Sequence, residues 1–310
     1  MGRLIVLGAL AALFFSSTFI LNRAMSLSGG HWFWSASLRY AFMLPILLAW
    51  TLVSGGPASL TQSFGLFRRN PVFWTLAGTI GFGVFYALCT LAASFAPGWV
   101  VATTWQSTIL ATPLVLALLG RKVPRKGLAL TALIFVGIVL VNVEQVRSAP
   151  DAGSLVGVAA VLVAAIAYPL GNQLVWEARR GGSRLVPHID HPALDAGRVP
   201  TLLLTIGSVP FWLVLLAIIQ PPAPSRGQVL QTAMVALCSG VIATSIFLRA
   251  RSRAKNAYEL AATDATQSLE VIFTLLGETL LLAGAWPGPM GAVGIGLAVT
   301  GLVLYVCRQV

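Results

Sequence analysis

Asp264, Gln267, Glu270, Thr274 and Glu278 recur at helical spacing inside one apolar run, ELAATDATQSLEVIFTLLGETLLLA at 259–283. At 100° per residue, Gln267, Glu270, Thr274 and Glu278 fall within about 80° of each other, and Asp264 lies about 40° beyond that arc. One face of this helix is polar and the rest is greasy. A carboxylate in hydrocarbon costs about 3 kcal/mol or more, so the polar face must look into protein or a water-filled cavity. A carboxylate so placed can carry a proton or hold a cationic group. Glu270 sits near the middle of the run, and Glu278 follows about 12 Å further along the axis. Asp264 lies near the end that follows the basic stretch 249–255, where it can cap the helix or pair with that stretch.

Other residues could complete such a site. Arg39 lies within an apolar segment, where an arginine is usually paired, and Glu278 is the expected partner. Trp105, Gln106, Tyr86 and Tyr168 could line a partly aromatic cavity suited to flat or cationic solutes. Asn22 and Asn172 lie at helix ends, where hydrogen bonding between helices is expected. Trp32, Phe33 and Trp34 read as an interfacial aromatic belt. His188, Asp190 and His191 in HIDHP are too few, in too loose a loop, to define a metal centre. Gly291, Gly294, Ala298 and Gly301 form a small-residue face for close helix packing, within the chain or across a homodimer.

The elements that must position these residues are membrane helices. The chain has 310 residues, 57% hydrophobic and 9% charged. Soluble domains average about 25% charged, so the fold expected is an all-α integral membrane protein. The net charge of +11 does not call for nucleic acid, because the basic residues sit in short loops as topology signals and lipid head-group contacts. Cys89, Cys238 and Cys307 lie in apolar runs and form no disulfide framework. The basic, apolar N-terminus is read as a first helix rather than a cleaved leader. Ten spans are expected, at about 4–22, 33–53, 71–93, 98–119, 127–143, 154–176, 199–219, 228–248, 260–283 and 289–307, each near the roughly 20 residues a bilayer needs. With both termini cytoplasmic, sixteen of the 20 basic residues fall inside, Arg23, Arg147 and Arg226 fall outside, and Arg39 lies within a span. That asymmetry supports the arrangement.

The chain also repeats itself. GRKVPRKGLALTALIFVGIVLVNV (120–143) parallels AGAWPGPMGAVGIGLAVTGLVLYV (283–306), with Gly127 and Gly137 spaced as Gly291 and Gly301 are. Trp105-Gln106-Ser107 parallels Thr266-Gln267-Ser268, Asn22 parallels Asn172, and Arg39 more weakly parallels Arg198. Five spans per half is odd, so the halves insert in opposite orientations: 1–143 is one five-helix repeat, 144–153 a connector and 154–310 the other. Inverted repeats are common in secondary transporters, whose sites lie near the midplane where the repeats meet.

Two five-helix halves, each closing on a glycine-spaced helix after a proline turn, resemble the drug/metabolite transporter superfamily. Within it, GALAALFFSSTFILNRAMSLSGGHWFWSASLRYAFMLP (8–45) resembles the branch of multidrug resistance efflux transporters. The resemblance implies alternating access around a central cavity lined by both halves, with the fourth and ninth spans near the two-fold. It implies no one substrate. Two departures stand out. Where such halves often carry Leu-Gly-Glu, this chain reads Leu119-Gly120-Arg121 and Leu282-Ala283-Gly284. The first helix offers Ser16, Ser17, Thr18 and Asn22 but no acid, so the glutamate chemistry of the small four-helix exporters does not carry over.

The expected function is secondary active export of a small organic solute, a drug-like cation or a metabolite, across the cytoplasmic membrane. A proton is the expected coupling ion, and no cofactor is expected. The competing readings are a membrane-embedded enzyme and a non-transporting receptor or structural protein. His31, His188 and His191 all lie in loops, which excludes Ser/His chemistry within the bilayer.

Overall fold

A computed structural model describes residues 2–118, 128–181, 186–195, 197–253, 259, 263 and 265–308. Asp264 and residues 119–127 fall outside the described residues. Within a bilayer, backbone groups have no water to bond, so apolar segments close their hydrogen bonds as helices. Regular structure among the described residues is accordingly all helical. Helix α1 is Gly2–Leu27 and α2 is Trp32–Arg69. Helix α3 joins Pro71–Gly78, a π segment Thr79–Val84 and Phe85–Ala92. Then come α4 (Gly98–Trp105), α5 (Thr108–Leu118), α6 (Leu128–Ser148), α7 (Ala152–Arg180) and α8 (Arg198–Ile219). Helix α9 joins Arg226–Val235, a second π segment Ala236–Ala243 and Thr244–Arg253. A 3₁₀ turn, Thr266–Ser268, leads into α10 (Leu269–Leu282), and α11 is Pro289–Arg308.

Seven of the described helices are long and apolar enough to cross a membrane. The expected spans 98–119 and 260–283 are not among them because each is interrupted. The first breaks between α4 and α5 at Gln106 and Ser107, and the second passes through the 3₁₀ turn before α10. The third expected span outside the seven, at 289–307, gives a shorter apolar helix over Pro289–Leu304. Helix α2 runs beyond the expected span and bends at Gly56 (φ 68°, ψ −177°), which is followed by Pro57.

Local chemistry sets several of these ends. The His31 ring accepts from the Phe33 N–H, the Asp151 carboxylate from Ser154 and the Ser225 hydroxyl from Gln228, capping α2, α7 and α9. Each cap satisfies one of the amides that a helix start leaves unpaired.

The helices pack in a regular pattern of pairs. Helix α1 lies on α9 and α10, while α7 lies on α3, α4 and α5. Helix α3 packs on α8, α2 packs on α8 and α9, α4 packs on α10, and α6 packs on α11. The α6–α11 contact is the closest approach of two backbones near the small-residue face. A Cβ built on Gly294 would stand 2.6 Å from the Gly137 carbonyl oxygen, and one on Gly137 would stand 2.5 Å from that of Gly294. The face made by Gly294, Ala298 and Gly301 is thus covered within the chain by α6, so it does not serve as a dimer surface. Phe33 is also not part of an outer belt: it is 1% exposed, packed edge-on against Trp34 and Trp212.

Described residues of the long connection between α7 and α8 pack against the helices too. Val186, Ile189 and Leu194 pack with Leu66, Trp74, Val175 and Leu203 into an apolar cluster under the ends of α2, α3, α7 and α8. Glu177, expected at a segment end, is buried within α7 and accepts from the Gln173 amide at 3.1 Å. Arg179 and Asp195 form an ion pair over the same region.

The glycine seam gives a direct expectation. Gly294→Val forces a side chain into backbone atoms that cannot rotate away, and overpacking of this kind costs about 1–3 kcal/mol. Gly296, with no atom within 4 Å of its would-be Cβ, accepts alanine freely. Thermal unfolding in detergent should show a clear drop in midpoint for Gly294→Val and none for Gly296→Ala.

Candidate functional site

The two interrupted helices meet one cavity. Its volume is about 620 Å³, and it is lined from α1, α2, α3, α5, α7, α8, α9 and α11 together with both breaks. At the α4–α5 break stand Trp105 and Gln106, and at the 3₁₀ turn stands Gln267. Glu270 follows in the first turn of α10, 7% exposed, and faces the same space. A break in a membrane helix leaves polar backbone and side chains without helical partners, which is tolerable only where protein or a cavity receives them. The side-chain N–H₂ of Gln267 is buried and without a hydrogen-bond partner. No hydrogen bond or ion pair to another described residue holds the Glu270 carboxylate.

Aromatic rings line much of the same cavity. Phe85, Trp105 and Tyr168 pack as a triad at tilted and edge-on angles, with centroids 4.8, 4.9 and 5.4 Å apart. Tyr40 lies against Phe82 and Tyr86. The Tyr86 hydroxyl exchanges hydrogen bonds with the Asn22 amide at 3.2 and 3.4 Å, tying α3 to α1. Arg39 places its guanidinium 4.2 Å from the Tyr86 ring centre and donates to the Ser239 hydroxyl of α9 at 3.2 Å.

Seven of the residues expected from the sequence therefore share this cavity: Glu270, Gln267, Arg39, Trp105, Gln106, Tyr86 and Tyr168. Glu278 does not. It is 3% exposed, and one carboxylate oxygen accepts from the Trp99 N–H at 3.0 Å, at the start of α4. The other oxygen lies 3.9 Å from Nε of Arg23. The expected pairing of Arg39 with Glu278 is thus corrected: the partner is Arg23. Two helical turns beyond Glu270, the polar face of α10 has left the cavity and reached the junction of α1 with α4. Arg23 also donates to the carbonyl of Ala93, just past the end of α3, at 3.0 Å, so the junction gathers α1, α10, the start of α4 and the end of α3. Gly98 is required there, since a Cβ would stand 2.9 Å from the Phe19 carbonyl oxygen and 3.2 Å from the Glu278 carboxylate.

Sequence reasoning missed Arg23 and Glu144. Both were assigned to loops because apolar runs seem to stop at the first charge, yet α1 continues to Leu27 and α6 to Ser148. Glu144 accepts from the N–H groups of Gly288 and Gly291, each at 2.8 Å, and so caps α11. Any helix N-terminus favours a nearby anion, but no local pattern marks Glu144 as its source.

Comparison with known proteins bears on what such a cavity serves. A family model described as "Putative multidrug resistance efflux transporter" matches residues 2–310. The chain belongs to that family. It is therefore a multi-pass membrane protein of a transporter family, a class whose members work in lipid on small molecules. The uncharacterized protein YjlA of Bacillus subtilis (strain 168) is 38% identical over 317 residues, covering 97% of this chain and 93% of the relative. An uncharacterized 42.1 kDa protein of Shouchella clausii, from the intracellular alkaline protease 3′ region, is 40% identical over 263 residues. That match covers 81% of this chain and 65% of the relative's length. A protein known from its crystal structure superposes with a TM-score of 0.61 at 15% identity, covering 100% of this chain and 98% of that one. At that identity the likeness speaks for the fold alone.

The Arg23–Glu278–Trp99 junction yields a stability expectation. Hydrogen bonds to charged groups contribute about 1.5–3 kcal/mol each. Glu278→Ala, which removes both contacts, should destabilise the folded protein by about 2 kcal/mol, read as a lowered unfolding midpoint in detergent. Arg23→Gln should cost less, because the Trp99 N–H keeps its acceptor.

Proposed function

We propose that this protein is a secondary active transporter that exports a small organic solute across the cytoplasmic membrane by alternating access, coupled to protons. The observation that carries this reading is Glu270: a carboxylate facing an aromatic cavity inside the membrane, with no described partner to neutralise it. A fixed structural glutamate would be held by hydrogen bonds, as Glu144 and Glu278 are. One left open can exchange its proton for solute.

The reading includes ten spans in two inverted five-helix halves, 1–143 and 154–310, with both termini cytoplasmic. The packing supports it. Exchange the first span for the sixth, the second for the seventh, and so on, and several of the main contacts map onto one another: α1 with α10 onto α7 with α4 and α5, α1 with α9 onto α7 with α3, and α3 with α8 onto α9 with α2. The α2–α8, α4–α10 and α6–α11 contacts map onto themselves. The two π segments lie in exchanged helices, α3 and α9, and the two breaks coincide with the parallel triplets Trp105-Gln106-Ser107 and Thr266-Gln267-Ser268.

In this orientation the lining residues Pro200, Thr201 and Phe247 belong to the cytoplasmic ends of their helices and would form the inner mouth. The Arg23–Glu278–Trp99 junction belongs to the outer ends and would form the outer gate. Transport requires that junction to part while the inner mouth closes.

Proteoliposomes with trapped pyranine give the test. A panel of labelled aromatic cations, anions and zwitterions is screened for solute-driven proton movement. Wild type should couple the two flows. Glu270→Gln should retain solute binding and lose proton movement at least tenfold. Unchanged proton movement in the variant would remove Glu270 from the coupling mechanism. No flux of any panel member through folded wild-type protein would count against transport itself.

A further inference from the structure

Resting on the transporter reading, the charges that line the cavity narrow the substrate. Arg23 and Arg39 both sit among the membrane helices, and they differ. Arg23 has Glu278 and the Ala93 carbonyl. Arg39 has the Ser239 hydroxyl and the face of Tyr86, and its buried Nε–H has no hydrogen-bond partner. No described carboxylate lies within 4 Å of it. A guanidinium offers five N–H donors and stays charged at any working pH. An arginine inside a membrane protein ordinarily finds an anion, and here the space beside it is the cavity.

We propose that Arg39 is a specificity-determining residue that binds an anionic group of the transported solute, a carboxylate or a similar oxyanion, and that plain organic cations are poor ligands. Charge balance supports this. Among the described residues that line the cavity, Arg39 and Glu270 are the charged ones. A monocation leaves net positive charge in either proton state of Glu270: one unit when the carboxylate is ionised, two when it is neutral. A zwitterion leaves none when Glu270 is ionised. A monoanion leaves none when Glu270 carries its proton. Uncompensated charge in a low-dielectric cavity is expensive: two like charges about 8 Å apart repel by about 2 kcal/mol even at an effective dielectric constant near 20. The planar guanidinium fork matches a carboxylate in two parallel hydrogen bonds. The body of the solute meets Tyr40, Phe82 and Tyr86 near Arg39, then Phe85, Trp105 and Tyr168, so an aromatic or other flat apolar body fits. The cavity volume of about 620 Å³ accommodates a solute of that size.

A matched set of probes isolates the charge: 3-phenylpropionate, phenylalanine and phenethylamine share one ring and differ in their ionic groups. Binding to purified protein is measured by displacement and by tryptophan fluorescence, and flux in proteoliposomes separately. In wild type, 3-phenylpropionate or phenylalanine should bind at least tenfold tighter than phenethylamine. Arg39→Gln should weaken the two carboxylates ten- to a hundredfold and leave phenethylamine within threefold. Arg39→Lys should restore part of the carboxylate binding. If phenethylamine binds wild type as tightly as the carboxylates, the proposal is overturned, and that comparison needs no variant. It is also overturned if Arg39→Gln weakens all three probes alike while the protein stays monodisperse, the signature of a purely structural arginine, or if none of the three binds. Carboxylate binding lost with Arg39 but without flux in wild type would uphold the proposal and sink the transport reading. Phenethylamine flux favoured over both carboxylates would do the reverse.

Discussion

Backbone that leaves the helix inside a bilayer must find its hydrogen bonds within the protein. This chain leaves the helix twice at comparable places, at Gln106–Ser107 and at Thr266–Ser268, and the fold is arranged around the consequences. Both breaks contribute to one cavity: Gln106 from the first and Gln267 from the second line it, with Glu270 just beyond. Helices α4 and α10 pack on each other, and α1 and α7 flank them. Arg39 comes from α2, and the rings come from α2 and α3, from Trp105 at the end of α4 and from Tyr168 of α7. The site is chemically lopsided as a result: the second half supplies the carboxylate, while the first supplies the arginine and most of the rings.

Around this centre the structure divides into tight seams and a polar junction. Where α6 meets α11, Gly137 and Gly294 bring the two backbones within contact distance. At the α3–α8 contact, Gly78 and Gly207 do the same, with would-be Cβ atoms 2.4 and 2.0 Å from the facing carbonyl oxygens. Such contacts rest on dispersion between well-fitted surfaces, which is how helices associate where lipid offers no hydrophobic drive. They can slide little. The Arg23–Glu278–Trp99 contact is different in kind. It is made by one pair at 3.9 Å and one charged hydrogen bond, and water can replace both when the helices part. Rigid seams beside a separable polar contact are what a rocking motion between helix groups requires.

Much of this was legible in the sequence, for physical reasons. Acids are so costly in lipid that the stripe containing Glu270 stood out against its apolar setting. The triplet match between 105–107 and 266–268 marked the positions where both helices break, although nothing in hydropathy showed a break as such. The gathering of Trp105, Gln106, Tyr86, Tyr168 and Arg39 with Glu270 followed from the expectation that polar and aromatic residues of facing helices converge. Partners were harder to read. Glu278 was matched with Arg39 by depth alone, whereas rotation along α10 brings it to Arg23. Glu144 and Glu177 lay hidden at run ends, because hydropathy stops at a charge even when the helix does not. The Asn22–Tyr86 link crosses 64 residues, a separation at which no local pattern speaks.

If the Glu270 cavity opens alternately to the two sides of the membrane, one thiol on its wall must be reachable from both. Gln267→Cys in a background with Cys89, Cys238 and Cys307 changed to alanine places one thiol on the cavity wall. Labelling it with a membrane-impermeant maleimide from each side, in right-side-out and inside-out vesicles, measures access directly. Alternating access gives labelling from both sides, with the rate on each side shifting in opposite directions when a pH gradient is imposed. Labelling from one side alone, unaffected by the gradient, would contradict it.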